Sequence, residues 1–246
     1  MKLSIIVCAF NERDTIEQCL RQILAADLGG DWERELIVLD NCSTDGTREI
    51  LQASTWPNTR VVLNDRNLGK GGSIRLGFEL ATGEFCVIQD ADLEYPPAQL
   101  RRLLEAVEVR GADAVLGSRV IGGAARYHYL HAFLGIQLLS GLTNLLFGSK
   151  LTDVGTAIKL VRSDIAKALN LVGNGFDLDF ELVNKILLAG FAVHEVPLDY
   201  FPRTYAQGKK ITVRDGFKAM WVIFRDRLGL SPVLRSDAVP LRRTVE

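Results

Sequence analysis

Two aspartates spaced i, i+2 end the most chemically loaded segment of this chain, GEFCVIQDADLEYPP. Asp90 and Asp92 follow the apolar run Phe85-Cys86-Val87-Ile88, which reads as a buried strand. Ionised carboxylates at such a place are costly without a partner, and they can only accept hydrogen bonds. A hard divalent cation carrying a diphosphate meets both conditions. The pair therefore points to a nucleoside diphosphate substrate and a metal. The bland alternative is that both carboxylates cap the helix beginning at Pro97.

Other polar sets follow the same logic. Asn11-Glu12 either caps a helix or forms a turn that meets a ligand. Ser43-Thr44-Asp45-Gly46 is a turn and helix-start signal, so Asp45 is divided between capping and a ribose contact. In Asn67-Leu68-Gly69-Lys70-Gly71-Gly72, glycines permit close backbone approach and Lys70 brings positive charge towards a phosphate or base. The spacing is not that of a P-loop. Asp177, Asp179 and Glu181, spaced i, i+2, i+4, form an acidic first helical turn, favourable to the helix dipole. The functional alternative is sugar-hydroxyl binding or a general base, with Asp179 favoured. Arg203, Lys209 and Lys210 lie in a basic, Gly-containing loop that is either solvated or anion-binding.

Short strands at residues 4–9, 35–39, 60–63, 84–89 and 114–117 alternate with helical patterns at 14–26, 47–53, 71–81 and 97–110. This order predicts an α/β fold with a mainly parallel sheet flanked by helices. Ligands in such sheets bind beyond the carboxyl ends of the strands, so the polar sets should gather along one edge. Beyond Gly122-Gly123 a long amphipathic helix is expected over 126–148, then helices at 163–169 and 179–189, a strand at 192–196 and a last amphipathic helix at 215–228. The reading is one domain over 1–230 and a poorly ordered tail over 231–246.

The 246 residues, 48% hydrophobic, suffice for one substantial core. A net charge of −1 supplies no field for nucleic acid. Cys8, Cys19, Cys42 and Cys86 lack CxxC spacing, which favours a reducing, cytoplasmic setting and argues against zinc. The N-terminus reads as a strand and not as a signal peptide. Residues 130–147 are apolar but contain His131, Gln137, Ser140 and Asn144, more consistent with a helix lying on the inner face of a membrane than with a span. Self-association is left open.

The segments SIIVCAFNE, LIVLDNCSTDGT, NLGKGGSIRLGFELATGEF, IQDADLEYPP, LGSR, LTDVGTAIKLVR and YFPRTYAQGKKI together resemble family 2 glycosyltransferases of the GT-A fold, close to the dolichyl- and polyprenyl-phosphate sugar synthases. The resemblance covers about residues 4 to 228. It implies an inverting transfer from a UDP- or GDP-linked sugar with Mg2+ or Mn2+. The turn Ala9-Phe10-Asn11-Glu12 would meet the nucleotide, Asp40 the base, and Asn41, Lys70, Gly71, Asp90 and Ala91 would complete the nucleoside site. Asp92 and Glu94 would hold the metal, with Asp90 on ribose or a metal-bound water. Arg203 and Lys209 would face the diphosphate, in a loop closing over the donor. Arg119 would hold an acceptor phosphate, and Asp153 and Asp179 complete the catalytic candidates. Asn41 stands where a second Asp is commoner, Gly155 and Ile158 replace a Glu and an aromatic, and the helix entry reads Arg126-Tyr127-His128-Tyr129-Leu130-His131. The acceptor implied is a polyprenyl or dolichyl phosphate; the alternative is a hydroxyl on a soluble natural product or glycan. A nucleotidyltransferase is disfavoured because AFNERDTI lacks a Gly- and Arg-rich loop, and a non-catalytic nucleotide-sugar binder because Asp90-Ala91-Asp92 is intact.

Overall fold

Strand β1 (Lys2–Ala9) is apolar on both faces, as a strand covered by helices on either side must be. Leu3, Ile5 and Val7 join one buried cluster and Ile6 the other. The structure is a computed structural model that describes residues 1–121, 130–204, 210 and 212–238. β1 pairs in parallel with β2 (Glu33–Asp40) and β4 (Phe85–Asp90), and β2 pairs in parallel with β3 (Thr59–Leu63). Helices α1 (Ile16–Ala25), α2 (Thr47–Ala53) and α3 (Gly69–Leu80) connect them. α1 shows why it docks: Ile16, Cys19, Leu20 and Ile23 recur at i, i+3, i+4, i+7 and are all buried.

The full sheet has the order β3-β2-β1-β4-β6-β5-β7, with β5 (Ala114–Ser118), β6 (Lys159–Arg162) and β7 (Val193–Pro197). β6 runs antiparallel to both β4 and β5, while β5 and β7 are parallel. The sequence predicts no strand at β6. Its four residues carry a charge at each end and no readable period; it exists because β4 and β5 each present an edge to it. The reversal of strand order around β1 opens a crevice between the carboxyl ends of β1 and β4. Register places Ala9 opposite Asp40 and Cys8 opposite Asp90 at that edge.

A 3-10 turn at Pro97–Gln99 leads into α4 (Leu100–Arg110), and α6 (Ser163–Ala168) follows β6. Helices α5 (Leu130–Phe147), α7 (Leu178–Leu188) and α8 (Val213–Arg227) enclose a third cluster that includes Leu139, Phe180, Val183, Ala219 and Ile223. The long helix expected from residue 126 is described from Leu130; Gly122, Gly123 and Arg126 to Tyr129 lie outside the described residues, as does Lys209. From Ser231 the chain is not loose, at least as far as residue 238. Leu234 bridges Leu169 antiparallel, the Arg235 amide donates to the Ala168 carbonyl at 2.8 Å, and Lys185 Nζ donates to Ser231 Oγ at 2.9 Å.

Candidate active site

The turns that follow β1, β2 and β4 contain three of the non-glycine residues with positive φ, Asn11 (53°), Cys42 (66°) and Leu93 (64°). Such backbone is sparsely populated and needs surrounding contacts to hold it. Asn11 shows how. Its amide donates to Ser43 Oγ at 2.9 Å, and its Oδ1 accepts the Thr44 amide at 2.9 Å. Asn11 is thus a tie between two loops, its side chain exposed and spent on backbone. Asp45 is similar, accepting the Arg13 amide and both the amide and hydroxyl of Thr47. Asn41 Oδ1 accepts the Leu68 amide at 2.7 Å and its Nδ2 donates to Asn67 Oδ1 at 2.8 Å, which ties the end of β2 to the entry of α3. The glycines there make a different approach from the one expected. A Cβ on Gly71 would lie 2.6 Å from the Gly173 carbonyl oxygen, so the crowding is with the loop before α7.

These loops surround a cavity lined by Ala9, Glu12, Asn41, Lys70, Asp90, Ala91, Asp92, Glu94, Arg119, Asp179 and Arg203. Asp40 sits behind it, fully buried: its Oδ2 is 2.8 Å from Arg48 Nε and accepts the Ser43 amide, while its Oδ1 is buried without a partner. Gly71 and Asp153 do not line the cavity.

Charge in the cavity runs along two chains. In the first, Asp90 Oδ2 lies 2.9 Å from Lys70 Nζ, Lys70 is 3.8 Å from Asp179 Oδ2, and Asp179 Oδ1 accepts from Lys159 Nζ at 3.0 Å. Burial works against the Lys70 charge, but Asp90, Asp179 and Asp92 outweigh it and hold its pKa above the ordinary lysine value. Lys159 is fully buried, and desolvation wins there over Asp179, lowering its pKa. In the second chain, Arg203 reaches three carboxylates. Its Nη1 is 2.9 Å from Glu12 Oε2, its Nη2 is 3.1 Å from Asp92 Oδ2, and its backbone amide donates to Glu94 Oε1 at 2.7 Å. Lys210 Nζ meets Glu12 Oε1 at 2.7 Å. Burial acts to raise the Glu12 pKa, but these two cations prevail and depress it.

Whether this set fits a divalent cation can be asked of Asp92. Burial, then the charges of Asp90 and Glu94, push its pKa up to about 7 despite Arg203. Asp90, Asp92 and Glu94 thus sit close enough to repel one another, and their donors are all hard oxygens. Asp92 Oδ1 also accepts the Glu94 amide at 3.1 Å, which orients the carboxylate. The residues fit a divalent cation chemically. Among the described residues no three ligating side chains are already gathered around one point, and Arg203 contacts Glu12 and Asp92 and lies 3.9 Å from Glu94.

Arg119 occupies the far wall. Its Nε and Nη2 each donate to Asp153 at 2.6 Å, and its amide donates to Asp153 Oδ2 at 3.1 Å. Asp153 is fully buried, and its carboxylate is taken up by Arg119. A second, more apolar cavity runs between α5 and α8, lined in part by Ile136, Leu139, Phe180, Val213 and Ala219. It shares Arg119, Gly155, Phe176, Asp179 and Tyr200 with the first.

Lys159, Phe176, Tyr200 and Lys210 escaped sequence reasoning as individual candidates. Phe176 lies under Lys70, its ring centroid 5.4 Å from Nζ, and Tyr200 lies under Arg119, 5.2 Å from the guanidinium carbon. The one available signal was Lys159, a lysine interrupting the apolar run Ala157-Ile158-Leu160-Val161, which demands a buried partner.

A parallel half joined to a mixed half, with paired acids at the end of the fourth strand, defines a GT-A fold. Comparison with known proteins agrees. The profile of "Glycosyl transferase family 2" matches residues 4–169, and the chain belongs to that family. It is 30% identical over 173 residues to an undecaprenyl-phosphate 4-deoxy-4-formamido-L-arabinose transferase of Edwardsiella ictaluri, covering 68% of this chain and 51% of the relative. It is 28% identical to an undecaprenyl-phosphate mannosyltransferase of Micrococcus luteus, covering 94% of this chain and 100% of that one. The chain spans about half the length of several of the curated relatives it matches, the E. ictaluri transferase among them. Among solved structures, glucosyl-3-phosphoglycerate synthase of Mycobacterium tuberculosis in complex with phosphoglyceric acid superposes with a TM-score of 0.71 at 20% identity, covering 98% of this chain and 83% of that one. That likeness establishes the fold.

Proposed function

We propose that this protein transfers a sugar, with inversion, from a UDP- or GDP-linked donor to the phosphate of a polyprenyl or dolichyl lipid. The observation that carries the reading is Arg119. Its guanidinium is fixed by Asp153 on a wall shared by a polar, carboxylate-lined cavity and an apolar one between α5 and α8. A phosphate on a hydrocarbon chain matches that junction: guanidinium for the anion, apolar walls for the chain. The printed names of the E. ictaluri and M. luteus relatives, both undecaprenyl-phosphate transferases, support the same acceptor class.

On the donor side, the unpartnered buried Oδ1 of Asp40 suits a base N–H, with Asn41, Lys70 and Asp90 towards the ribose. Asp92 and Glu94, with Asp90 beside them, would hold Mg2+ or Mn2+. When bound, the metal neutralises charge developing on the departing nucleoside diphosphate. Arg203, Lys210 and, from the sequence, Lys209 add to that neutralisation. An oxygen of the acceptor phosphate attacks the anomeric carbon, the bond to the diphosphate breaks, and its electron pair leaves on the diphosphate oxygen. The nucleophile is already an anion and has no proton to lose. Asp179 agrees with that: both its oxygens face ammonium groups, so its place is in the charge network.

The setting proposed is the cytoplasmic face of a membrane. On α5, Leu130, Leu134 and Leu138 are exposed, and on α8 Val213, Phe217, Trp221 and Phe224 are exposed at spacings of four or three, continued by Leu228 just past its end. Arg214, Lys218 and Arg227 are exposed on α8 as well. An apolar stripe with basic neighbours is the pattern of a helix lying in an anionic interface. α5 is long and apolar enough to cross a membrane, with mean hydropathy 1.4, but its polar residues and its packing on α7 and α8 favour lying on one.

The test is product mass spectrometry with a panel of UDP- and GDP-sugars, Mn2+ and undecaprenyl phosphate. Glycosylated lipid phosphate, lost in Asp92→Ala, is expected. Transfer only to soluble hydroxyl compounds would overturn the acceptor assignment, and an unimpaired Asp92→Ala would overturn the metal role. Flotation with anionic liposomes should retain the protein; its absence from the floated fraction would refute membrane contact.

A further inference from the structure

One guanidinium stands where three carboxylates would otherwise repel one another. Arg203 donates from Nη1 to Glu12 Oε2 at 2.9 Å and from Nη2 to Glu12 Oε1 at 3.3 Å and Asp92 Oδ2 at 3.1 Å. Its Nε is 3.9 Å from Glu94 Oε1, too far for a hydrogen bond, and is buried without a partner. All four side chains are mostly buried, with relative exposures of 18% for Arg203, 8% for Glu12, 14% for Asp92 and 13% for Glu94. Glu12 differs from the other two acids. It takes both Nη groups of Arg203 and also Lys210 Nζ, so its bond with Arg203 does not depend on Asp92 or Glu94.

We propose that Arg203 is the resident counter-cation of the Asp92–Glu94 pair, that a divalent cation binds there by exchanging with it, and that Glu12 is the positioning residue that keeps the released guanidinium at the donor end of the cavity. This rests on the metal reading given above. The exchange has a simple electrostatic logic. A divalent cation and Arg203 cannot share the same Asp92 oxygen without strong repulsion at a few ångströms. Removing Arg203 with nothing in its place would leave buried carboxylates uncompensated, which is costly. The two cations therefore alternate on Asp92, and in each state its carboxylate faces a cation. Exchange frees Nη2 from Asp92, while Nη1 stays on Glu12. An arginine so released is aimed into the cavity where a diphosphate would sit, so metal loading and preparation of the anion site become one event. Glu12 is then explained without any nucleotide contact: its carboxylate is committed to Arg203 and Lys210.

The experiment is Mn2+ binding followed by electron paramagnetic resonance of the free ion, with no nucleotide and no acceptor present. The proteins are wild type, Arg203→Lys and Arg203→Gln, each checked for folding by circular dichroism. Arg203→Lys keeps the charge but lacks the fork that reaches Glu12 through Nη1 and Asp92 through Nη2. Direct exchange predicts that Arg203→Lys and Arg203→Gln both bind Mn2+ severalfold more tightly than wild type. If Arg203→Lys matches wild type and only Arg203→Gln binds more tightly, Arg203 acts merely through its field and the exchange is refuted. If none of the three binds Mn2+, even when UDP or GDP is then added, the metal reading itself fails and this inference with it.

Discussion

Asn41 Nδ2 donates to Asn67 Oδ1 at 2.8 Å, while Asn67 Oδ1 also accepts the Gly69 amide at 2.8 Å. This bond joins the end of β2 to the first turn of α3, and it requires a donor at position 41. An aspartate there would set a carboxylate against the Asn67 carbonyl. Asn41→Asp should lower stability by ~1 kcal/mol, the scale of a lost hydrogen bond. It should also raise KM for the donor with little change in kcat, because the loop carrying Lys70 loses its tie. Urea denaturation and donor kinetics measure the two effects; an unchanged KM would disconnect the tie from donor binding.

Asp153 holds Arg119 through three contacts and is itself bound by Glu195, whose Oε1 accepts the Asp153 amide at 2.9 Å. Asp153→Asn leaves a buried guanidinium with half its partner. The expected loss is ~3 kcal/mol in unfolding free energy, as for breaking a buried pair. Acceptor KM should rise more than donor KM, since Arg119 faces the acceptor wall. Comparable changes in both would contradict the placement.

Gly69 has φ of +74°, and a Cβ there would fall 2.1 Å from the Asn174 carbonyl oxygen. Gly216, inside α8, has nothing within 4 Å of its would-be Cβ. Gly69→Ala should destabilise by ~2 kcal/mol or more, strain and clash acting together. Gly216→Ala should stabilise by up to ~1 kcal/mol through helix propensity. Thermal unfolding of the two variants checks both signs at once.

Glu181 is fully buried, with Lys185 Nζ at 2.9 Å and Arg225 Nη2 at 2.7 Å, and it also accepts the Val172 and Gly173 amides. Burial acts to raise its pKa, but Lys185, the Gly173 amide and Arg225 overcome it and the pKa falls below the ordinary carboxylate value. A carboxyl so depressed contributes its stability above the unfolded-state value, about 4.3, and loses it as pH falls through the lower folded value. Wild-type Tm should therefore drop steeply below pH ~4. Glu181→Gln should be less stable at pH 7 by ~3 kcal/mol and show a shallower acid limb. Equal acid slopes in the two proteins would remove Glu181 from the acid response.

The carboxylate-lined part of the candidate site was legible because its residues lie at strand ends, in the turns that follow them, or at a helix entry. Parallel strands deliver such loops to one edge, so Glu12, Asn41, Lys70, Asp90 and Asp92 could be gathered from local pattern alone. Helices α2 and α6 appeared within a residue of their expected bounds because helical period is a local signal. Strand β6 and the partner of Lys159 were not legible, since both depend on groups far along the chain: β4 and β5 for the strand, Asp179 on α7 for the lysine.

By composition and local spacing, then, the chain determined an α/β fold, the edge at which its polar residues meet, and the oxygen-rich chemistry of Asp90, Asp92 and Glu94. Only the tertiary structure decided what each charge faces. It turned Asp153 from a candidate for chemistry into the support of Arg119, and gave both oxygens of Asp179 to lysines. It also set Arg203 among Glu12, Asp92 and Glu94. The physical reason is that burial and charge pairing are pairwise and long-range. A sequence states which groups need a partner, and packing alone settles which partner each one gets.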